Sequence, residues 1–255
     1  RGALQHITRG TGTIIIPDAT YNAISNGFIP DLFEVDGLHV ITLLMGLLGI
    51  VLFVIGQLRV RKNKLKYNFE VVSKSIFITK MVFVSTLIMT ITYVLATHRG
   101  FSWTVLIMLG LVALYHFITN KTALGRHIYA VGGNPEAAEL SGINVKWITL
   151  IVFASMVMLS GLSGIIYSSR LLSATVTAVM LFELDAIAAA YIGGVSAAGG
   201  VGSVVSSLIG AIVYTSLTSG MNLMGIDISS QYIVRGVVLA LAVIFDVTTR
   251  KIGTK

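Results

Sequence analysis

The chain has 255 residues, of which 55% are hydrophobic and 11% charged, with a net charge of +7 and a mean hydropathy of +0.88. Soluble domains carry about 25% charged residues, so this composition excludes a water-soluble globular fold and is that of an integral membrane protein. The absence of cysteine excludes a disulfide framework, thiolate metal sites and cysteine catalysis.

In chain order, the long apolar runs predict seven membrane-spanning helices, near 38–56, 75–97, 103–119, 147–167, 178–195, 203–220 and 232–248. Helices are expected because a backbone surrounded by lipid has to satisfy its own hydrogen bonds. The first is the clearest: no charge lies between Leu38 and Gly56, and at about 1.5 Å per residue the run reaches about 28 Å. The fifth is unlike the others. It contains Glu183 and Asp185 and ends in glycines, so it reads as a span or as a re-entrant or broken helix. Intramembrane acids are costly and usually functional. Two residues apart on a helix, however, these acids face different ways, which argues against shared acid–base chemistry and for a structural or pore-vestibule role. The expected fold class is all-α and polytopic, one transmembrane domain over 1–255.

The positive charges orient these spans. Arg59, Arg61, Lys62, Lys64, Lys66 and Lys74 lie in 57–74, Lys121, Arg126 and Lys146 in 120–146, and Arg250, Lys251 and Lys255 in the tail, twelve of the eighteen Lys and Arg. Basic residues in short loops stay cytoplasmic, and seven crossings put all three segments on that side. The charge therefore points to membrane topology and away from nucleic acid. Residues 1–37, with two Arg against four acids, fall outside. A chain starting at Arg1 outside is expected to be a fragment, preceded by an odd number of helices. Lys80 lies a few residues into the second span and can extend its amine to the cytoplasmic interface. Arg170 and Arg235 are expected at the external rim, there to meet a soluble partner or the interface, and Asp246 is expected to pair with Arg250 four residues on.

The segment Ala123–Val145, ALGRHIYAVGGNPEAAELSGINV, carries the most local information. Asn134 suits a helix N-cap, Pro135 the first helical position, Glu136 the positive end of the helix dipole and Gly142 the stop. A two-turn helix, Pro135–Ser141, is predicted, with Gly132 and Gly133 allowing a tight reversal before it. With small Ala137 and Ala138 exposed, this helix is either a docking knob for a cytoplasmic partner or an ordinary interfacial helix. Gly193, Gly194, Gly199, Gly200 and Gly202 match neither a P-loop nor a dinucleotide-binding turn. They are expected to allow close packing and a bend at the cytoplasmic ends of spans five and six. The five histidines, on separate segments, offer no metal-ligand pair.

The EAA motif, three further residues and Gly142 resemble the coupling loop of bacterial ABC importer permeases. The longer GRHIYAVGGNPEAAELSGI, ELDAIAAAYIGGVSAAGGVGS at 183–203, and the GMNLMG segment resemble the permeases for ribose, galactose, xylose and related sugars. That resemblance implies a type II importer fold of about ten helices, similar to the vitamin B12 permease, with two permease subunits, expected to be identical, around a pore. It implies that 120–146 is the coupling loop and that Asn134, Pro135, Glu136, Ala137, Ala138, Glu139 and Gly142 form the element that meets a cytoplasmic ATP-binding subunit. ATP and Mg would belong to that subunit, leaving this chain non-catalytic and without a cofactor. An extracytoplasmic sugar-binding protein would deliver the monosaccharide, xylose or a similar one. The setting is the bacterial inner membrane, with the C-terminus cytoplasmic. The competing reading is an ion-gradient-driven secondary transporter, for which Lys80, Glu183 and Asp185 are the available ionisable groups.

Overall fold

The computed structural model describes residues 13–31, 38–69, 71, 73–175 and 179–253. In chain order these form β1 (Thr13–Ile15), α1 (Ala19–Asn26), α2 (Val40–Lys66), α3 (Lys74–Ala96), α4 (Trp103–Lys121), α5 (Ala123–Gly133), α6 (Pro135–Leu140), α7 (Val145–Leu171), β2 (Ser173–Thr175), α8 (Phe182–Ile192), α9 (Val204–Leu223) and α10 (Ile228–Gly253). Six of them, α2, α3, α4, α7, α9 and α10, are long and apolar enough to cross a bilayer. Their large apolar side chains, Leu48, Leu52, Phe83 and Val157 among them, point outward. That arrangement is stable in lipid or against another subunit and not in water. The chain is an all-α polytopic membrane protein.

The fifth predicted segment is shorter than the 178–195 expected. Only the eleven residues of α8 are helical, about 16 Å against a hydrocarbon core of about 30 Å. Two local causes bound it. Val179 and Leu181 adopt left-handed backbone, with φ of 64° and 66°, which keeps α8 from extending back beyond Phe182, and Gly193 caps the other end.

The contacts group into two compact units. In the unit 17–106, α2 and α3 pair as neighbours. A Cβ on buried Gly46 would collide with the Thr92 side chain, so this crossing requires glycine. The loop ends are tied by His39 N–H donating to Ala96 O at 2.9 Å and by Phe101 N–H donating to the fully buried Thr42 Oγ1 at 3.2 Å.

The other unit holds the described residues from 107 onward together with 13–16. β1 and β2 pair antiparallel with Ile14 opposite Ala174, and Ile16 N–H donates to Leu172 O at 2.9 Å. Ala188, Ala189 and Tyr214 form the buried core where α8, α9 and α10 meet. α8 and α9 approach so closely that a Cβ on Gly210 would overlap Ala189 O. Beyond α8, Gly199 and Gly200 lie against Gly132 and Gly133, at the end of α5 from which α6 leads into the start of α7. The chain leaving α7 at Leu171 therefore returns through the membrane before Gly199. α8 is the helical part of that return, and any non-helical backbone at membrane depth has to be shielded by protein or face water.

Candidate functional site

The short helix α6 is built by local rules. The Asn134 side chain accepts from Ala137 N–H at 3.0 Å, Pro135 occupies the first turn beside Glu136, and Ser141 caps the far end. Ile143 N–H reaches back to Ala138 O at 3.0 Å, and Gly142 takes φ +82°, a left-handed closure that glycine adopts without strain. The helix ends at Leu140, one residue short of the predicted last position, Ser141. Glu136, Ala137 and Glu139 are exposed, but Ala138 is 4% exposed, contrary to expectation. Its small side chain lets α6 settle against α5 and α7. Sequence reasoning overlooked Leu140, which is 91% exposed at the tip of α6. An apolar residue following two acids in a loop facing water was the available signal.

The expected loop ahead of α6 is itself helix α5, capped by the Thr122 side chain, which accepts from Gly125 N–H at 3.2 Å. Leu124, Ile128 and Val131 recur at helical spacing and turn partly inward. Gly132 and Gly133 do not form the expected reversal. They end the helix where the 199–200 backbone passes, and a Cβ on Gly132 would stand 2.8 Å from Gly200 N. Tyr129 OH donates to Gly202 O at 2.9 Å, fastening the same turn. Gly194, Gly199, Gly200 and Gly202 all have positive φ, and a Cβ on Gly193 would overlap Ser206 O. Asp246 accepts from Ala197 N–H at 3.2 Å, so it serves this turn. The side chain of Arg250, its expected partner, lies outside the described residues.

Within the membrane-spanning group, Asp185 on α8 meets two partners. Tyr214 OH donates to its Oδ1 at 2.6 Å, and Arg235 Nη1 donates to its Oδ2 at 3.1 Å. Arg235 is therefore not free to meet a soluble partner: two turns into α10, it is held to α8 by this pair, in which the cation offsets the cost of the carboxylate. Glu183 lies on another side of α8 and is exposed, as its two-residue offset requires. A cavity of about 300 Å³ adjoins the carboxylate and is lined by Tyr214, Thr215, Thr218 and Ser219. A second, of about 160 Å³, adjoins Arg235 and Tyr232. Among the described residues no three His, Asp or Glu side chains converge as metal ligands.

Residues 19–243 match the family described as branched-chain amino acid transport system / permease component. The chain is 38% identical to the xylose transport system permease protein XylH of Haemophilus influenzae, over 98% of this chain and 64% of the relative. Against the XylH of Escherichia coli K12 the identity is 37%, over 98% and 62%. The ribose import permease protein RbsC of Escherichia coli K12 is 49% identical over 51% of this chain and 40% of its own length. The chain thus spans less than two thirds of the length of these relatives. No solved structure matches it.

Proposed function

Because the chain belongs to the branched-chain amino acid transport system / permease component family, we propose that it is the membrane subunit of an ATP-driven importer of a monosaccharide, with xylose the first candidate. The observation that carries the sugar class is the identity to xylose and ribose permeases. On this reading the subunit is non-catalytic. ATP and Mg bind a cytoplasmic ATP-binding partner, an extracytoplasmic binding protein supplies the sugar, and a second permease subunit completes the pore. Residues 1–255 then form one permease domain of the inner membrane with a cytoplasmic C-terminus.

In this account α6 is the coupling helix. Exposed Glu136, Ala137 and Glu139 and the protruding Leu140 support that role, since a Leu at the tip of such a helix is available to fill a partner's apolar pocket. Asn134, Pro135 and Gly142 hold the helix rigid, and Ala138 seats it. Its movement passes to the 193–203 turn through the glycine contacts and Tyr129. That turn leads into α8, whose position is set by Asp185, Tyr214 and Arg235. The hydroxyl-lined cavity beside Asp185 serves as pathway wall, and Glu183 belongs to the vestibule.

Uptake of labelled xylose by proteoliposomes holding the full complex tests this reading. It should require ATP, stop with vanadate and continue with a proton ionophore. Uptake that follows the ion gradient without ATP would replace it with the secondary-transporter reading.

A further inference from the structure

A cavity of about 150 Å³ lies between the basic end of α2 and the start of α3, and none of its lining residues belongs to α5–α10. Arg61, Lys64 and Lys80 line it together with Gln57, and among the described residues no acid lines it. Arg61 stacks on Phe77, with Cζ 4.5 Å from the ring centroid, which fixes the plane of the guanidinium. One of its nitrogens, Nη1, is buried and has no hydrogen-bond partner. Polar groups so enclosed are ordinarily satisfied, and charged donors most of all. The arrangement is that of an oxyanion site: a fixed guanidinium with an unused donor, two ammonium groups and an amide.

Its depth selects the kind of anion. The uncharged run of α2 ends at Leu58, one residue after Gln57 and just before Arg59, so the cavity lies where the apolar part of α2 gives way to its basic end, the level of the headgroups. Lys80, six residues into α3, stands about 9 Å along the helix from its start, from where its long side chain brings the amine to that same level. Val71 and Ile76 add apolar wall, which suits an amphiphile better than a free ion. The segment 57–74 carries six cations and a single acid, Glu70, so it favours anionic over zwitterionic headgroups.

We propose that this cavity binds the phosphate of an anionic phospholipid, with Arg61 and Lys80 as its principal contacts. The proposal does not depend on what the protein transports. Native mass spectrometry of the purified full-length permease in detergent tests it, with phosphatidylglycerol, phosphatidylcholine and inorganic phosphate added separately. Phosphatidylglycerol should be retained in preference to phosphatidylcholine, and Arg61→Gln and Lys80→Gln should each weaken that retention by about tenfold. Lys62→Gln removes the same charge outside the cavity lining and should leave retention unchanged; thermal melting confirms that all three variants fold. Equal loss in Lys62→Gln, equal retention of phosphatidylcholine, or occupancy by inorganic phosphate with no retained lipid would each overturn the assignment.

Discussion

Asp185 and Arg235, fifty positions apart in sequence, meet at 3.1 Å between α8 and α10, and Tyr214 of α9 closes the same carboxylate at 2.6 Å. Three helices are thereby joined at one acid, and the shortest of them gains an anchor that its eleven residues do not supply by length.

Removing both partners should therefore cost less than the sum of removing each. Asp185→Asn leaves the Arg235 guanidinium, with its Nε already buried and unbonded, without a counter-charge. The side chains retain 26% and 21% exposure, so water offsets part of the loss. A destabilisation of about 1–3 kcal/mol is expected for Asp185→Asn and for Arg235→Gln, with the double variant well short of their sum. Thermal melting of the four proteins in detergent completes the cycle; strict additivity would show that the pair does not couple the helices.

The adjacent glycines of α5 provide an internal control. A Cβ on Gly132 would press on Gly200 N at 2.8 Å, whereas a Cβ on Gly133 meets nothing within 4 Å. Gly132→Ala should destabilise by about 1–3 kcal/mol because both opposed groups are backbone. Gly133→Ala should stay within about 0.5 kcal/mol of the parent. Melting temperatures separate the two, and equal effects would mean that the turn at 199–200 yields freely.

Much of this architecture was legible in the sequence. Unbroken apolar runs mark six spans because length and hydropathy suffice for a helix that faces lipid. Asn134, Pro135 and Gly142 mark α6 because capping is local chemistry. The length of α8 was not legible, since left-handed backbone at Val179 and Leu181 occurs at residues with no preference for it. Nor was the Asp185–Arg235 pair, which depends on three helices packing and leaves no periodic trace. Helix α5 was hidden by its terminal glycines, which read as a reversal until the 199–200 turn is seen against them.

The tip of α6 should matter for assembly and not for folding. Leu140 is already 91% exposed, so Leu140→Asp should leave the melting temperature of the isolated permease unchanged. Retention of the ATP-binding subunit on affinity purification should fall by about tenfold or more, as for an anchor residue in a pocket. Undiminished retention would remove Leu140 from the interface.

Glu136 and Gly142 should separate binding from coupling. Gly142→Ala forces a Cβ into left-handed backbone at φ +82° and should loosen the end of α6 at a cost of about 1 kcal/mol. Glu136→Gln removes the first-turn charge without changing shape. Both complexes should hydrolyse ATP while moving less sugar per ATP, measured as uptake and phosphate release in the same proteoliposomes. Normal transport stoichiometry would assign these residues to local structure alone.

The most direct test of the account is to purify the full-length permease from membranes with its ATP-binding partner and measure ATP hydrolysis as binding protein is added with and without xylose. The account predicts a stoichiometric ATPase whose rate rises with the sugar-loaded binding protein and falls back when Leu140 is replaced by Asp. A permease that purifies without an ATPase and takes up sugar on an ion gradient would contradict it.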